Sequence, residues 1–232
     1  IIIINSCCFI KDAKEESIET IFEMARYKEE GQCKALVLAG CLAQRYHEEI
    51  KTEIPEVDIC IGTTAIDSIV SALDDYFKEH KKKEYLKDVD FLAAANAPRN
   101  LSTLGSYAYL KIAEGCDKHC TYCIIPYARG TVRSRKPADV LGEIQRLAEN
   151  GYQEVVLTGI HLSSYGIDIE DDLLHLIEQV HEIEGIQRIR LGSLEPKIVT
   201  EEFAKRLSEL EKICPHFHLS LQSGCDAILE RM

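Results

Sequence analysis

The sequence predicts an α/β protein in two parts, a parallel-sheet domain followed by the first part of a partial (β/α) barrel. Three observations predict it. Short apolar runs recur without polar alternation, as strands covered on both faces require. Helical stretches separate these runs, so neighbouring strands run parallel. The strands of the second half also end in small or polar residues, the ends at which such folds carry their chemistry.

The chain opens with the strand IIIIN, and EESIETIFEMARYKEEG follows with Ile18, Ile21, Phe22 and Ala25 at helical spacing and Gly31 as its stop. KALVLAG (34–40) is a continuous apolar strand, LAQRYHEEI a helix, VDICIG a strand and TAIDSIVSALDDYF a helix. Residues 1–78 therefore read as a Rossmann-like domain. Residues 79–105 read as a linker, because HKKKEYLKDVD is charged, with a solvated Lys run, and FLAAANAPRNLSTLGS has no period. From residue 106 to 232 the alternation resumes with strands YAYLKIA, QEVVLTG, QRIRLGS and HFHLSLQ and helices PADVLGEIQRLAENG, DDLLHLIEQVHEIEG and TEEFAKRLSELEK. That is the first part of a parallel barrel.

Of 232 residues, 46% are hydrophobic and 28% charged, the composition of an ordinary globular protein. A formal charge of −12 excludes a general basic clamp on nucleic acid and leaves room for a local basic patch. No run approaches the roughly 18 apolar residues of a membrane span, and IIIINSCCFI lacks the charged start and cleavage site of a secretory leader. A cytoplasmic location with no membrane partner is the expectation. The start inside a strand without Met and the stop at DAILERM read as a fragment.

In a reducing compartment, clustered cysteines serve as metal ligands more readily than as disulfides. EGCDKHCTYCIIP sets Cys116, Cys120 and Cys123 at C-x3-C-x2-C spacing in the loop beyond the first barrel strand. Three thiolates suit a soft metal centre, and three ligands on a cubane leave one iron open to a further ligand. The alternatives are a zinc site completed by His119 or unligated loop cysteines.

This loop resembles that of the radical S-adenosylmethionine enzymes, and YAYLKIAEGCDKHCTYCIIP resembles their methylthiotransferases. The resemblance covers the whole chain, NSCCFI and LAGCLAQRY being similar to that family's N-terminal domain. It implies a radical-SAM partial barrel, two 4Fe-4S clusters and S-adenosyl-L-methionine. Cys116, Cys120 and Cys123 would hold the radical SAM cluster. Cys7, after N-S, and Cys41, of the GC pair, would hold the auxiliary cluster with a third cysteine upstream of Ile1. Cys8 stands where relatives often carry Gly; adjacent strand residues face opposite ways, so it reads as a bystander. The implied reaction is one-electron cleavage of S-adenosylmethionine, hydrogen abstraction from the substrate by the resulting 5′-deoxyadenosyl radical, and delivery of a methylthio group. The electron comes from a donor such as flavodoxin or ferredoxin.

The resemblance assigns further cofactor contacts to Tyr122, Thr158, Gly159, Ser193, Glu195 and Gln222, each of which is otherwise a loop or strand-end structural residue. No catalytic residue beyond the cluster ligands is assigned. Arg129, Arg133 and Arg135 either hold a cofactor carboxylate or an RNA phosphate, or form a solvated loop. His161, His216 and His218 receive no role. Cys33, Cys60 and Cys214 read as small buried hydrophobes and Cys225 as structural.

The family's targets differ, and the two halves of the chain point to different ones. Residues 5–126 resemble the branch acting on an aspartate of small-subunit ribosomal protein twelve, and residues 127–226 the branch acting on threonylcarbamoyl-adenosine in transfer RNA. Adenosine 37 of transfer RNA is the expected target, because the barrel half surrounds the reacting centre, with the ribosomal protein as the alternative. A non-enzymatic metal-binding module contacting RNA or protein is the reading from a different class.

Overall fold

A computed structural model describes residues 1–91 and 105–232. Their contacts gather into two compact units, Ile1–Ala93 with Tyr122–Gly130, and Ala94–Thr121 with Thr131–Met232.

The first unit runs β1 (Ile2–Ser6), α1 (Lys11–Glu29), β2 (Leu36–Gly40), α2 (Cys41–Glu53), β3 (Ile59–Ile61), α3 (Ile69–Glu79) and β4 (Lys83–Tyr85), and also takes in the short α4 (Ile125–Arg129). Its sheet is parallel throughout, in the order β1-β2-β3-β4. Every residue of β2 is buried, as its unbroken apolar sequence demands. The pleat divides the strand: Leu36 and Leu38 pack with Ile4, Ile21 and Leu42 on one face, Val37 and Ala39 with Ile59, Ile61 and Ala72 on the other. Each such fully buried aliphatic side chain contributes about 1.5–3 kcal/mol relative to exposure. A buried carboxylate ties helix to sheet, since Asp58 accepts 2.8 Å hydrogen bonds from Lys28 Nζ and from the Leu36 N–H.

β4 corrects the reading of 79–105 as a linker from its first residues. Lys83, Glu84 and Tyr85 pair in parallel with Ile59, Cys60 and Ile61. A three-residue edge strand needs no apolar run, and charged side chains are what such an edge tolerates. The remainder of that stretch, residues 92–104, lies outside the described residues.

The second unit runs β5 (Tyr107–Glu114), β6 (Arg133–Ser134), α5 (Pro137–Glu149), β7 (Glu154–Gly159), α6 (Leu173–His181), β8 (Arg188–Leu191), α7 (Glu201–Ser208) and α8 (Asp226–Leu229). The sheet order is β6-β5-β7-β8, with β5, β7 and β8 parallel and β6 antiparallel on the outer side of β5. β5 buries Ala108, Leu110 and Ile112 and exposes Tyr107, Tyr109 and Lys111, so helices cover one face of this strand. Ile144 of α5 and Ile177 of α6 complete that core with Leu157 of β7. Asp172 and Thr200 cap α6 and α7 by accepting the His175 and Phe203 N–H groups.

HFHLSLQ does not form the expected continuous strand. It touches the end of β8 through the isolated bridge Leu194↔Leu219, while Ile189 bridges Ile213 upstream. Its backbone turns back on itself, the His216 N–H donating to the Cys214 carbonyl and the Leu221 N–H to that of Leu219, which removes donors from a ladder. Among the described residues no helix is long and apolar enough to cross a membrane.

Candidate metal and cofactor sites

In the second unit the chemistry lies beyond the carboxyl ends of parallel strands. β5 ends at Glu114, and the following loop carries Cys116 and Cys120, both half-buried. Asp117 fixes this loop by accepting the Val132 N–H at 2.9 Å. Cys123, also half-buried, begins the 122–130 segment that belongs with the first unit. Chain continuity keeps the three thiols within one C-x3-C-x2-C stretch. The donor set is sulfur with no carboxylate among its three positions, which fits an iron-sulfur centre better than a hard cation. His119 is exposed, and among the described residues the one group of three ligand atoms within 4.8 Å of one another is His47, Glu48 and Glu84, which includes neither His119 nor the three cysteines. Beside that group, Lys51 Nζ lies 3.8 Å from Glu84 Oε1.

The strand-end residues gather around Glu195. Its carboxylate lies 3.2 Å from His161 Nε2 and 3.6 Å from Lys118 Nζ, and its N–H donates to Ser163 Oγ at 2.9 Å. Loops following β5, β7 and β8 thus meet at one carboxylate. The approach of His161 Nε2 lies outside hydrogen-bond geometry. Sequence reasoning gave His161 no role and did not consider Lys118, although the strand-end rule that selected Glu195 reaches the loops holding both. Thr158 and Gly159 end β7, half-buried, and a side chain at Gly159 would stand 3.4 Å from the Ala113 carbonyl oxygen of the neighbouring strand. Ser193 is exposed and its Oγ lies 2.8 Å from His218 Nδ1. Gln222 is exposed on a backbone with φ of +64°. Tyr122 is 55% exposed, which removes the alternative that it fills core.

Two arginines of RGTVRSR are absorbed by their own unit. Arg135 donates to Glu143 Oε2 at 2.7 Å and to the Lys111 carbonyl at 3.1 Å, and the buried Arg133 donates to the Thr131 carbonyl at 2.6 Å. Neither is the solvated or phosphate-facing side chain the sequence suggests. Arg129 reaches a sulfur instead: its Nε lies 3.0 Å from Cys41 Sγ, within the first unit.

In that unit Ser6 of β1 pairs with Gly40 of β2, so Cys7 and Cys41 leave two adjacent strand ends together. The Cys7 N–H donates to Ser17 Oγ at 3.1 Å, and the Phe9 N–H points to Cys7 Sγ at 3.5 Å. Cys8 departs from the expectation of a bystander facing away. It is buried and packs in one core with Cys41. The neighbouring Cys41 side chain, then burial, raises the Cys8 thiol above its ordinary range. β1 stops at Ser6, before either cysteine, so strand alternation does not set which way the two side chains face. Cys60 and Cys214 are buried hydrophobes as expected, burial and then Glu84 pushing the Cys60 thiol up to about 12. Cys33 is half-buried, and Cys225 is exposed.

Comparison with known proteins matches residues 110–232 to the radical SAM superfamily and residues 1–62 to the uncharacterized protein family UPF0004. The whole chain is 44% identical to the ribosomal protein uS12 methylthiotransferase RimO of Lachnoclostridium phytofermentans and 42% identical to that of Acetivibrio thermocellus, covering 53% of each. The chain therefore spans about half the length of the curated relatives it matches. Among solved structures, the radical S-adenosylmethionine methyltransferase TsrM of Kitasatospora setae, with cobalamin and a 4Fe-4S cluster bound, shares the fold at a TM-score of 0.53. It is 15% identical, and the match covers 89% of this chain and 45% of that one.

Proposed function

This chain belongs to the radical SAM superfamily, and on that premise we propose that it is part of a methylthiotransferase that modifies an aspartate of ribosomal protein uS12. The observation that carries the reading is the Cys116/Cys120/Cys123 loop at the carboxyl end of β5, inside a chain that matches uS12 methylthiotransferases along its full length. The relatives' names support the ribosomal-protein alternative over the transfer RNA target that the sequence favoured. A charge of −12 suits a basic ribosomal protein better than a polyanion.

Two 4Fe-4S clusters and S-adenosylmethionine would supply the radical chemistry and the methylthio group. The protein's part is to hold and orient. Cys116, Cys120 and Cys123 would hold the first cluster through their thiolates. Glu195, flanked by Lys118 and His161, would offer a carboxylate to accept hydrogen bonds from ribose hydroxyls or an amino group of the cofactor. Gly159, next to Thr158 at the end of β7, keeps a strand end free of bulk, and Ser193 beyond β8 offers a hydroxyl. Tyr122, exposed next to Cys123, offers an aromatic face to adenine. Gln222 is a further polar contact. In the first unit Cys7 and Cys41 would hold the second cluster. The domains of this reading are 1–78, extended by β4, and 106–232.

Full-length protein expressed in cells lacking their uS12 methylthiotransferase tests the target. The expected result is a methylthio mass increment on the uS12 aspartate by mass spectrometry. An increment found on transfer RNA adenosine and absent from uS12 would overturn it. Anaerobic reconstitution of the 232-residue chain tests the first cluster directly. Iron and sulfide counts are expected to fall by one cluster when Cys116, Cys120 and Cys123 are replaced by Ala.

A further inference from the structure

We infer that His47, Glu48 and Glu84 form a site for a divalent cation of the zinc class, which fastens the second half of α2 to the edge strand β4. The inference involves no cysteine and stands whether or not the first unit holds a cluster.

Backbone geometry gathers the three side chains. Lys83 and Tyr85 of β4 turn towards α3, where Lys83 Nζ meets Glu79 Oε1 at 2.9 Å and Tyr85 Oη donates to Asp75 Oδ2 at 2.8 Å. The pleat therefore sends Glu84, which stands between them, to the opposite face. On that face α2 supplies His47, whose Nδ1 lies 3.7 Å from Glu84 Oε2. The helix breaks just before this point, at Tyr46, whose φ of −123° and ψ of 28° are not helical, so His47 and Glu48 begin a re-aimed stretch. His47 Nδ1 also lies 3.7 Å from Glu48 Oε1, and one ligand atom from each of the three residues stands within 4.8 Å of the other two.

Hydrogen bonds do not account for this arrangement. Both 3.7 Å approaches exceed hydrogen-bond reach. His47 Nδ1 and Glu84 Oε1 are shut off from solvent and have no hydrogen-bond partner among the described residues, a state that costs free energy until something else satisfies them. A cation does so. Zinc–nitrogen and zinc–carboxylate bonds of about 2.0–2.1 Å at a tetrahedral angle set neighbouring ligand atoms about 3.4 Å apart, close to the 3.7 Å separations here. One imidazole and two carboxylates without a thiolate suit zinc better than a soft centre. Lys51, 3.8 Å from Glu84 Oε1, is an exposed ammonium on a flexible stem, and its single charge leaves one of the two carboxylates unbalanced. Binding exchanges waters on the cation for three protein ligands, and nothing is oxidised or reduced.

The test is zinc titration of the full chain after anaerobic reconstitution with iron and sulfide, which occupies the cysteines. One zinc beyond the iron is expected, bound about 10-fold or more weakly in His47→Gln, Glu48→Gln and Glu84→Gln, with the iron count unchanged in all three. Zinc is expected to raise the thermal midpoint of the parent by about 3 °C or more and to leave that of Glu84→Gln in place. X-ray absorption at the zinc edge of the parent keeps the test independent of how the variants fold: nitrogen and oxygen neighbours at about 2.0–2.1 Å support the site, and a shell of sulfur alone overturns it. Parent-like zinc affinity in all three variants, or no zinc bound by the parent, also overturns it. Failure of the cluster reading shows in the iron count and failure of this inference in the zinc.

Discussion

Arg129 Nε lies 3.0 Å from the sulfur of Cys41, joining residues 88 positions apart. The guanidinium is carried on α4, whose Ala128 is buried in the core of the first unit and accepts a 3.2 Å hydrogen bond from Thr63 Oγ1. The charge is therefore delivered to the thiol by a packed element.

Arg129→Gln keeps a hydrogen-bond donor and removes the charge. Outer partners of metal ligands are worth about 10- to 100-fold in affinity. The expected outcome is about 10-fold faster loss of first-unit iron to a chelator, with iron at the Cys116 loop unchanged, measured by timed iron release from a chain with either cysteine set removed.

Glu195→Gln removes a charge held between His161 and Lys118. Charge-assisted hydrogen bonds contribute about 1.5–3 kcal/mol, so S-adenosylmethionine binding to the reconstituted chain should weaken by about 10- to 100-fold. Equilibrium dialysis of the cofactor checks this. Unchanged affinity would remove Glu195 from the site.

Glu154 at the start of β7 accepts from Arg188 Nε at 2.7 Å and Arg190 Nε at 3.0 Å on β8. The Arg188 hydrogen bond is the main cause that holds its carboxyl below the usual 4.5, against a smaller desolvation cost. A lowered folded-state value stabilises fully above the unfolded value and is lost as the pH falls below it. Wild type should therefore lose its advantage over Glu154→Gln below about pH 4.5, and above it should be more stable by about 1 kcal/mol. Chemical denaturation at pH 7 and pH 3.5 measures both.

Gly166 adopts φ of +96°, and a Cβ there would stand 2.1 Å from the Asp171 carbonyl oxygen. Gly166→Ala should destabilise the second unit by about 2 kcal/mol or more, because the backbone region and the space both exclude a side chain. The thermal midpoint reads the loss, and Gly151→Ala, with φ of +86° and nothing within 4 Å of its added Cβ, separates the two causes.

The alternation of strands and helices was legible because a parallel strand buried on both faces leaves an unbroken apolar run, as in Leu36–Gly40. β4 was illegible for the converse reason, since three edge residues reading Lys-Glu-Tyr carry no burial signal. HFHLSLQ alternates like a strand, yet its pairing depends on what adjoins it and not on its own pattern. That Cys116 and Cys120 follow directly on a strand was legible because the apolar run of β5 stops just before them. That Cys8 shares a core with Cys41 was illegible because pleat alternation does not extend past Ser6, where the strand ends, and the approach of Arg129 to Cys41 was illegible because no local pattern links them.

β4 also decides where the chain can be cut. Its Lys83–Tyr85 backbone covers the β3 edge, and β3 reads Ile-Cys-Ile. A truncation after residue 78, the boundary the sequence suggested, would strip that edge and offer apolar strands to other copies. Such a piece should precipitate on expression, whereas one that retains residues through 91 keeps its own lysine-bearing guard against edge-to-edge association.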